Sequence, residues 1–497
     1  MVSADYKIQA RTRFAAKGTA MRIIGRSAEQ RELKRLLESS ESEFVVVYGR
    51  RRVGKTYLVR EYLGKSIVFS LTGLGADMRG ESSGFADQLK NFDDAVRKGF
   101  GKGREPVNTW FEAMNLLRDE LEKIPCRKNG KRVVFIDEMP WLDTPKSKFV
   151  SALEHFWNSW AAAQPDIMLI VCGSATAWIM KNLLKNRQGL HNRVTSRIFL
   201  SPFTLRECEE YLNARGFRYQ RKQIVDLYMV FGGVPFYLRQ LQKGLSVAQN
   251  IDRLCFGNAA PLAYEFEELY HSLFRSPEKH ILIARTLSAK RKGLTREEIL
   301  SQTNLPAGGT LTKALTDLRQ SGFVEKYCDF TKSDKGHYYK IIDPFTLFSL
   351  RFIDGGKNKA GYWIARTGSP ARNAWSGFSF ELVCLLHREQ IKAGLGIAGV
   401  ATEEFAWRSR AAEPGAQVDL VIKRRDRTIN LCEMKYSDGQ YRLSKEEAER
   451  IINKREAFVY ETQTKYDIQV TMVTAYGVKP GIYSDVYQSE VTIESLF

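Results

Sequence analysis

FVVVYGRRRVGKTYLVREYL, residues 44–63, joins an apolar run to a helix through a turn bearing two glycines. Phe44–Val47 has the length and β-branched content of a strand buried on both faces, and helical periodicity starts at Lys55. Between them Gly49–Thr56 fits G-x-x-x-x-G-K-[ST], the spacing of a phosphate-binding loop. Gly49 and Gly54 supply backbone angles closed to other residues, so the N–H groups from Gly49 through Arg52, Val53 and Gly54 turn inward around a phosphate. That phosphate would sit at the positive end of the following helix. Lys55 would reach the β- and γ-phosphates, and the Thr56 hydroxyl would hold Mg²⁺. ATP and Mg²⁺ are therefore the expected cofactors. Arg50, Arg51 and Arg52 fill variable positions of the loop.

The chain has 497 residues, too many for one core and enough for roughly three ordinary domains. A net charge of +19 favours a polyanionic partner such as nucleic acid, with a generally basic surface as the alternative. Seven cysteines with no C-x-x-C pair read as reduced thiols of a cytoplasmic protein, and six scattered histidines form no metal-ligand set. No apolar run approaches the ~18 residues of a membrane span, so no membrane partner is expected. Residues 1–20 read as a flexible basic arm.

Upstream of the loop, Met21–Leu37 (MRIIGRSAEQRELKRLL) gives a glycine turn and a helix, and resembles the G-R-x-x-E-x-x-x-L segment of AAA+-type ATPases. Downstream, Val133–Ile136 is a second buried strand ending in Asp137 and Glu138. In phosphate-loop enzymes such acids support Mg²⁺ and polarise the attacking water, roles that fall to Asp137 and Glu138 respectively. A third strand, Ile167–Val171, runs into Cys172-Gly173-Ser174. Ser174 or Thr176 stands where this class senses the γ-phosphate, and either hydroxyl also suits a helix cap.

The loop, the acidic strand, the C-G-S strand end, LHNRVTSRIFLSPF (190–203) and FGGVPFYL (231–238) occur in this order. Together they resemble the ATPases first catalogued in archaea, close to the AAA+ and STAND classes. The resemblance implies a parallel α/β sheet over 21–205 and a helical lid over 206–275. It makes Arg193 or Arg197 a candidate arginine finger acting on a neighbouring subunit, hence a homo-oligomer; a phosphate-facing arginine within one subunit or a surface ion pair are the alternatives. Gly232, Gly233 and Pro235 read as a structural turn.

Residues 276–353 change character. A helix, then Thr295 as a cap with Glu298 three residues on, a turn at 306–309, a helix carrying Lys313 and Arg319, and two strands give the order of a winged helix-turn-helix. That module either enters a DNA major groove or packs on an ATPase domain. A glycine- and lysine-bearing linker is expected over 354–372.

The final unit, 373–497, has an apolar helix with Glu381 and then QVDLVIKRRDRTINLCEMKYS, residues 417–437. Two apolar segments around KRRDR predict a hairpin centred at Asp426, which sets Asp419 opposite Glu433, with Lys435 on the face of Glu433. The pattern D-x(13)-E-x-K resembles the PD-(D/E)XK nucleases, in which the Asp and Glu bind Mg²⁺ and the Lys positions the hydrolytic water. Glu381 matches that family's earlier helical acid. Val418 replaces the family's proline, and Met434 replaces its small polar residue. Lys445 and Lys454 lie on a helix suited either to a nucleic-acid backbone or to plain solvation.

The expected protein is thus an α/β ATPase with helical lid, winged helix-turn-helix and a C-terminal restriction-endonuclease-like α/β domain. Its expected function is ATP hydrolysis with DNA binding and Mg²⁺-dependent cutting, in genome defence or mobile-element control. The alternative is an ATP-driven signalling or DNA-binding switch whose C-terminal unit does not cut.

Overall fold

A computed structural model describes residues 23–497, except 76–82, 102–104, 127–129, 185–189, 191, 275, 291–292, 307, 332–336, 355–358 and 410–414. The basic arm expected over 1–20 lies outside the described residues. Five strands form one parallel sheet: β1 Glu43–Tyr48, β2 Ile67–Thr72, β3 Arg132–Asp137, β4 Ile167–Gly173 and β5 Ser196–Phe199. Their order is β2-β3-β4-β1-β5. The uninterrupted apolar runs of β1, β3 and β4 place them centrally, because helices cover both faces and leave no solvent side for polar alternation. Because the sheet is parallel, the loops after β1 and β3 both emerge at its carboxyl end, where open α/β sheets bind ligands.

Helices Leu205–Ala214, Arg221–Phe231, Val247–Cys255 and Glu265–Leu273 follow. Helices Pro277–Ser288, Arg296–Thr303 and Gly309–Gln320 then lead into the antiparallel ribbon β6 Val324–Cys328 and β7 His337–Ile341. Thr295 caps its helix through the Glu298 N–H, as the spacing predicts. Lys313 and Arg319 are exposed on the helix Gly309–Gln320, which packs against the short helix Thr176–Ile179 after β4. The ribbon region also reaches the last sheet, where the Phe330 N–H donates to the Ala406 carbonyl.

The C-terminal unit sets helices Pro370–Leu386 and Lys445–Thr462 beside a mixed sheet. Its strands are β8 Thr402–Arg408, β9 Gln417–Arg424, β10 Thr428–Lys435, β11 Asp467–Thr474 and β12 Ser489–Thr492, in the order β12-β11-β10-β9-β8. The β9–β10 ladder runs from Lys423 opposite Ile429 to Leu420 opposite Cys432, a register that would place Asp419 opposite Glu433 one step beyond its end.

The expected free linker over 354–372 is corrected. Trp363, 1% exposed, inserts among Phe348, Phe352 and Trp375, and both Asp252 carboxylate oxygens accept backbone N–H groups, from Gly361 and Trp363. One large aromatic ring outweighs the flexibility of the glycines around it. The helix of the C-terminal unit also begins at Pro370 rather than 373. One hydrophobic cluster draws residues from Phe203 to Leu496, so lid, ribbon module and C-terminal unit share an interior, while two smaller clusters, around Trp407 and around Met472, lie within the C-terminal unit.

His387 illustrates that sharing. Its Nε2 accepts the Leu205 N–H at 3.0 Å and its Nδ1–H donates to the Val383 carbonyl at 2.8 Å, which fixes the neutral tautomer. Burial lowers its pKa from 6.5 to about 4. The fold thus disfavours the proton that the unfolded chain takes up below pH 6.5. Stability from this group is full above pH 6.5 and is lost as pH falls towards 4, by about 3 kcal/mol in all. Denaturant midpoints at pH 7 and pH 4.5 should separate accordingly, and His387→Gln should shrink that separation; an unchanged separation would remove His387 as its source.

Candidate functional site

Gly49 and Gly54 sit at φ 142° and 96°, and the loop between them wraps the start of the helix Lys55–Leu63. A Cβ at Gly49 would overlap the Leu200 carbonyl, whereas space in front of Gly54 is open. Lys55, 5% exposed, donates through Nζ to the carbonyls of Gly49 and Arg50, each at 2.9 Å. Thr56 Oγ1 donates to Asp137 Oδ2 at 2.8 Å, which joins the loop to the end of β3. Glu138 has φ 47°, and its Oε2 accepts both the N–H and the hydroxyl of Ser174, at 3.2 and 3.0 Å. Gly49, Lys55, Thr56, Asp137, Glu138 and Ser174 are therefore brought together.

Residues 24–241 match the family described as an ATPase domain predominantly from Archaea. They form an archaeal-type ATPase domain. An uncharacterised protein of Methanocaldococcus jannaschii is 23% identical over 428 residues, 84% of this chain and 88% of its own. The Walker-type ATPase of Pyrococcus abyssi aligns over 66% of this chain and 96% of its own, at 19% identity and TM-score 0.45. The ORC2 protein of Aeropyrum pernix aligns over 70% and 96%, at 14% identity and TM-score 0.33.

The ATPase domain suits a nucleotide with Mg²⁺. The inward-turned loop and Lys55 would take the phosphates, while the joined oxygens of Thr56 and Asp137 form the hard donor pair such an ion uses beside phosphate and water. Bound Mg²⁺ would supply neutralisation of developing phosphate charge. The Ser174 N–H and hydroxyl together hold the Glu138 carboxylate in place beside the loop.

Other sequence candidates lie differently. Arg193 and Arg197 are exposed, Arg197 on the edge strand β5 beside Val46, and neither guanidinium forms an ion pair with a described residue. The Arg52 side chain is turned from the phosphate cradle: it pairs with Glu265 and lies over the Phe236 ring, 4.2 Å from its centroid. Only its backbone remains for a phosphate.

At the other end of the chain one cavity of about 340 Å³ is lined by Glu381, Asp419, Glu433, Lys435, Gln417 and Lys454, with Arg450 at its wall. Lys435 and Lys454 both reach Glu433, at 2.9 and 2.8 Å. Lys454 thus faces inward, which corrects its placement along a backbone-tracking helix face; Lys445 is exposed beside Glu449. Asp419 Oδ1 accepts from Lys340 Nζ at 3.1 Å and from Gln417 Nε2 at 3.0 Å. Burial opposes ionisation of Asp419, but the Lys340 ammonium and these hydrogen bonds outweigh it and hold the pKa below its ordinary value. Burial likewise opposes ionisation of Glu433, and Lys454 and Lys435 outweigh it. Glu381, buried and then facing the Asp419 charge, is pushed up to about 7.

Among the described residues no three His, Cys, Asp or Glu side chains stand close enough to share one ion. Asp419 and Glu433 are the two carboxylates that would hold a Mg²⁺ completed by water, if the lysines now paired with them gave way. Neither Lys340 nor Gln417 is marked by a motif in the sequence. The first comes from a distant strand, and the second is visible only as a neighbour two residues before Asp419 on the same strand face.

Proposed function

We propose that this protein is an ATP-binding and ATP-hydrolysing oligomer that binds DNA and cuts it with a Mg²⁺-dependent site of PD-(D/E)XK type. The observation that carries this reading is the convergence of Glu381, Asp419, Glu433 and Lys435 on one cavity. Grouped carboxylates and a lysine are costly to bury unless a cation or substrate engages them. Mg²⁺ on Asp419 and Glu433 would polarise a phosphodiester, and Lys435 would orient water or receive charge beside it. Arg193 and Arg197, both exposed, are available to a neighbouring subunit's phosphates. The setting of genome defence or mobile-element control rests on the nuclease reading.

Incubation of the full chain with linear, circular and single-stranded DNA, with and without ATP and Mg²⁺ or Mn²⁺, tests the proposal; intact DNA under every condition rejects cutting. A non-cutting switch is the second reading, favoured by the ion pairs that Lys435, Lys454 and Lys340 already make with the carboxylates.

With a charge of +19, DNA binding is expected to be mainly electrostatic. The logarithm of affinity should fall linearly with the logarithm of salt, with a slope of about −0.9 per phosphate neutralised. A filter-binding titration across salt concentrations reads that slope, and a flat response removes the polyanion partner.

A further inference from the structure

Strand β7 and the two residues that follow it touch both sites. Lys340, within it, holds Asp419; Asp343, three residues on, receives the guanidinium of Arg50 from the phosphate loop. Arg50 is 4% exposed and Asp343 fully buried. Asp343 also caps the helix Pro344–Phe348, accepting from the Thr346 N–H at 3.0 Å and hydroxyl at 2.7 Å. Only Ile341 and Ile342 separate the two charges. An extended chain covers about 10 Å over that interval, so neither end can shift far without pulling the other. Successive residues of an extended chain point to opposite sides, which lets Lys340 face the C-terminal sheet while Asp343 faces the loop.

The loop end of this tie is poised between two arrangements. Lys55, the residue that would turn to a nucleotide's phosphates, donates instead to the carbonyls of Gly49 and Arg50. Arg50 Nε is buried with no acceptor among the described residues. A buried, unmatched donor on a guanidinium is costly, and relief is available when the loop is remade around phosphate.

We propose that residues 340–343 form a tie by which the phosphate loop controls the C-terminal site. Without nucleotide, Lys340 occupies the cation position on Asp419; when phosphate draws Lys55 from the Arg50 carbonyl, the Arg50–Asp343 pair loosens and Lys340 withdraws. The inference rests on Asp419 as a cation-binding carboxylate. It places regulation within one chain, through strand β7, whatever the subunits do.

Amide hydrogen exchange of the full-length protein, with and without a non-hydrolysable ATP analogue and Mg²⁺, tests it. Exchange over 337–343 and 417–420 should quicken by about tenfold or more with the analogue, and should stay slow in Lys55→Ala. Asp343→Asn should quicken both segments without nucleotide and raise the affinity for Mn²⁺, counted as the uptake lost in Asp419→Ala. No response of the wild-type segments to the analogue overturns the tie, and so does unchanged Mn²⁺ affinity in both Asp343→Asn and Lys340→Met. The nuclease reading fails separately. If DNA stays intact in every variant while exchange responds, cutting is rejected and the tie stands; if Asp419-dependent cutting proceeds equally with and without nucleotide and in Lys340→Met, the tie is rejected and cutting stands.

Discussion

Lys55→Ala is expected to lose nucleotide binding, while Glu138→Gln is expected to keep it and hydrolyse ATP at least ~10²-fold more slowly, the scale of a lost general base. The two differ in kind because the side chains stand in different parts of the site. Lys55 is buried within the loop that would wrap the phosphates, and its loss leaves their charge without its nearest cation. Glu138 lies at the strand end, held by Ser174, where it would meet water rather than nucleotide. Equilibrium binding of a fluorescent ATP analogue and single-turnover hydrolysis separate the effects. Equal turnover in Glu138→Gln and wild type would remove Glu138 from the chemistry.

Asp419→Ala should reduce DNA cutting by on the order of 10²-fold or more, the scale of losing one preorganised charge-stabilising group. ATP turnover without DNA should stay near wild type. The substitution deletes the partner of Lys340 and Gln417, leaving a buried ammonium unpaired, so the variant should also unfold at lower denaturant. Asp419→Asn keeps the hydrogen-bonding shape while removing the charge, and should lose cutting with less loss of stability. If Asp419→Asn cuts as wild type does, the carboxylate is no metal ligand.

Local spacing made much of this legible. The phosphate loop, the acidic end of β3 and the pairing of β9 with β10 are set by residues within about twenty positions of each other, where chain geometry leaves few options. Partners far along the chain were not legible. Arg50 meets Asp343 across 293 residues and Lys340 meets Asp419 across 79, and no period or motif announces such pairs. Asp343 both caps the helix Pro344–Phe348 and receives the distant arginine, two roles that only the fold brings together. In the segment 354–372 glycines and lysines dominate the local composition, yet one indole, Trp363, is enough to dock it.

The shared interior from Phe203 to Leu496 bears on how this protein can be cut apart or exchanged by recombination. The helix Pro370–Leu386 packs on Arg221–Phe231, so a gene fragment encoding the last third alone would yield a polypeptide with that apolar face bare and prone to aggregate. The C-terminal unit is thus inherited together with the lid it rests on. Swapping it between relatives should succeed only when the junction falls before Phe203, carrying both halves of the interior in one piece.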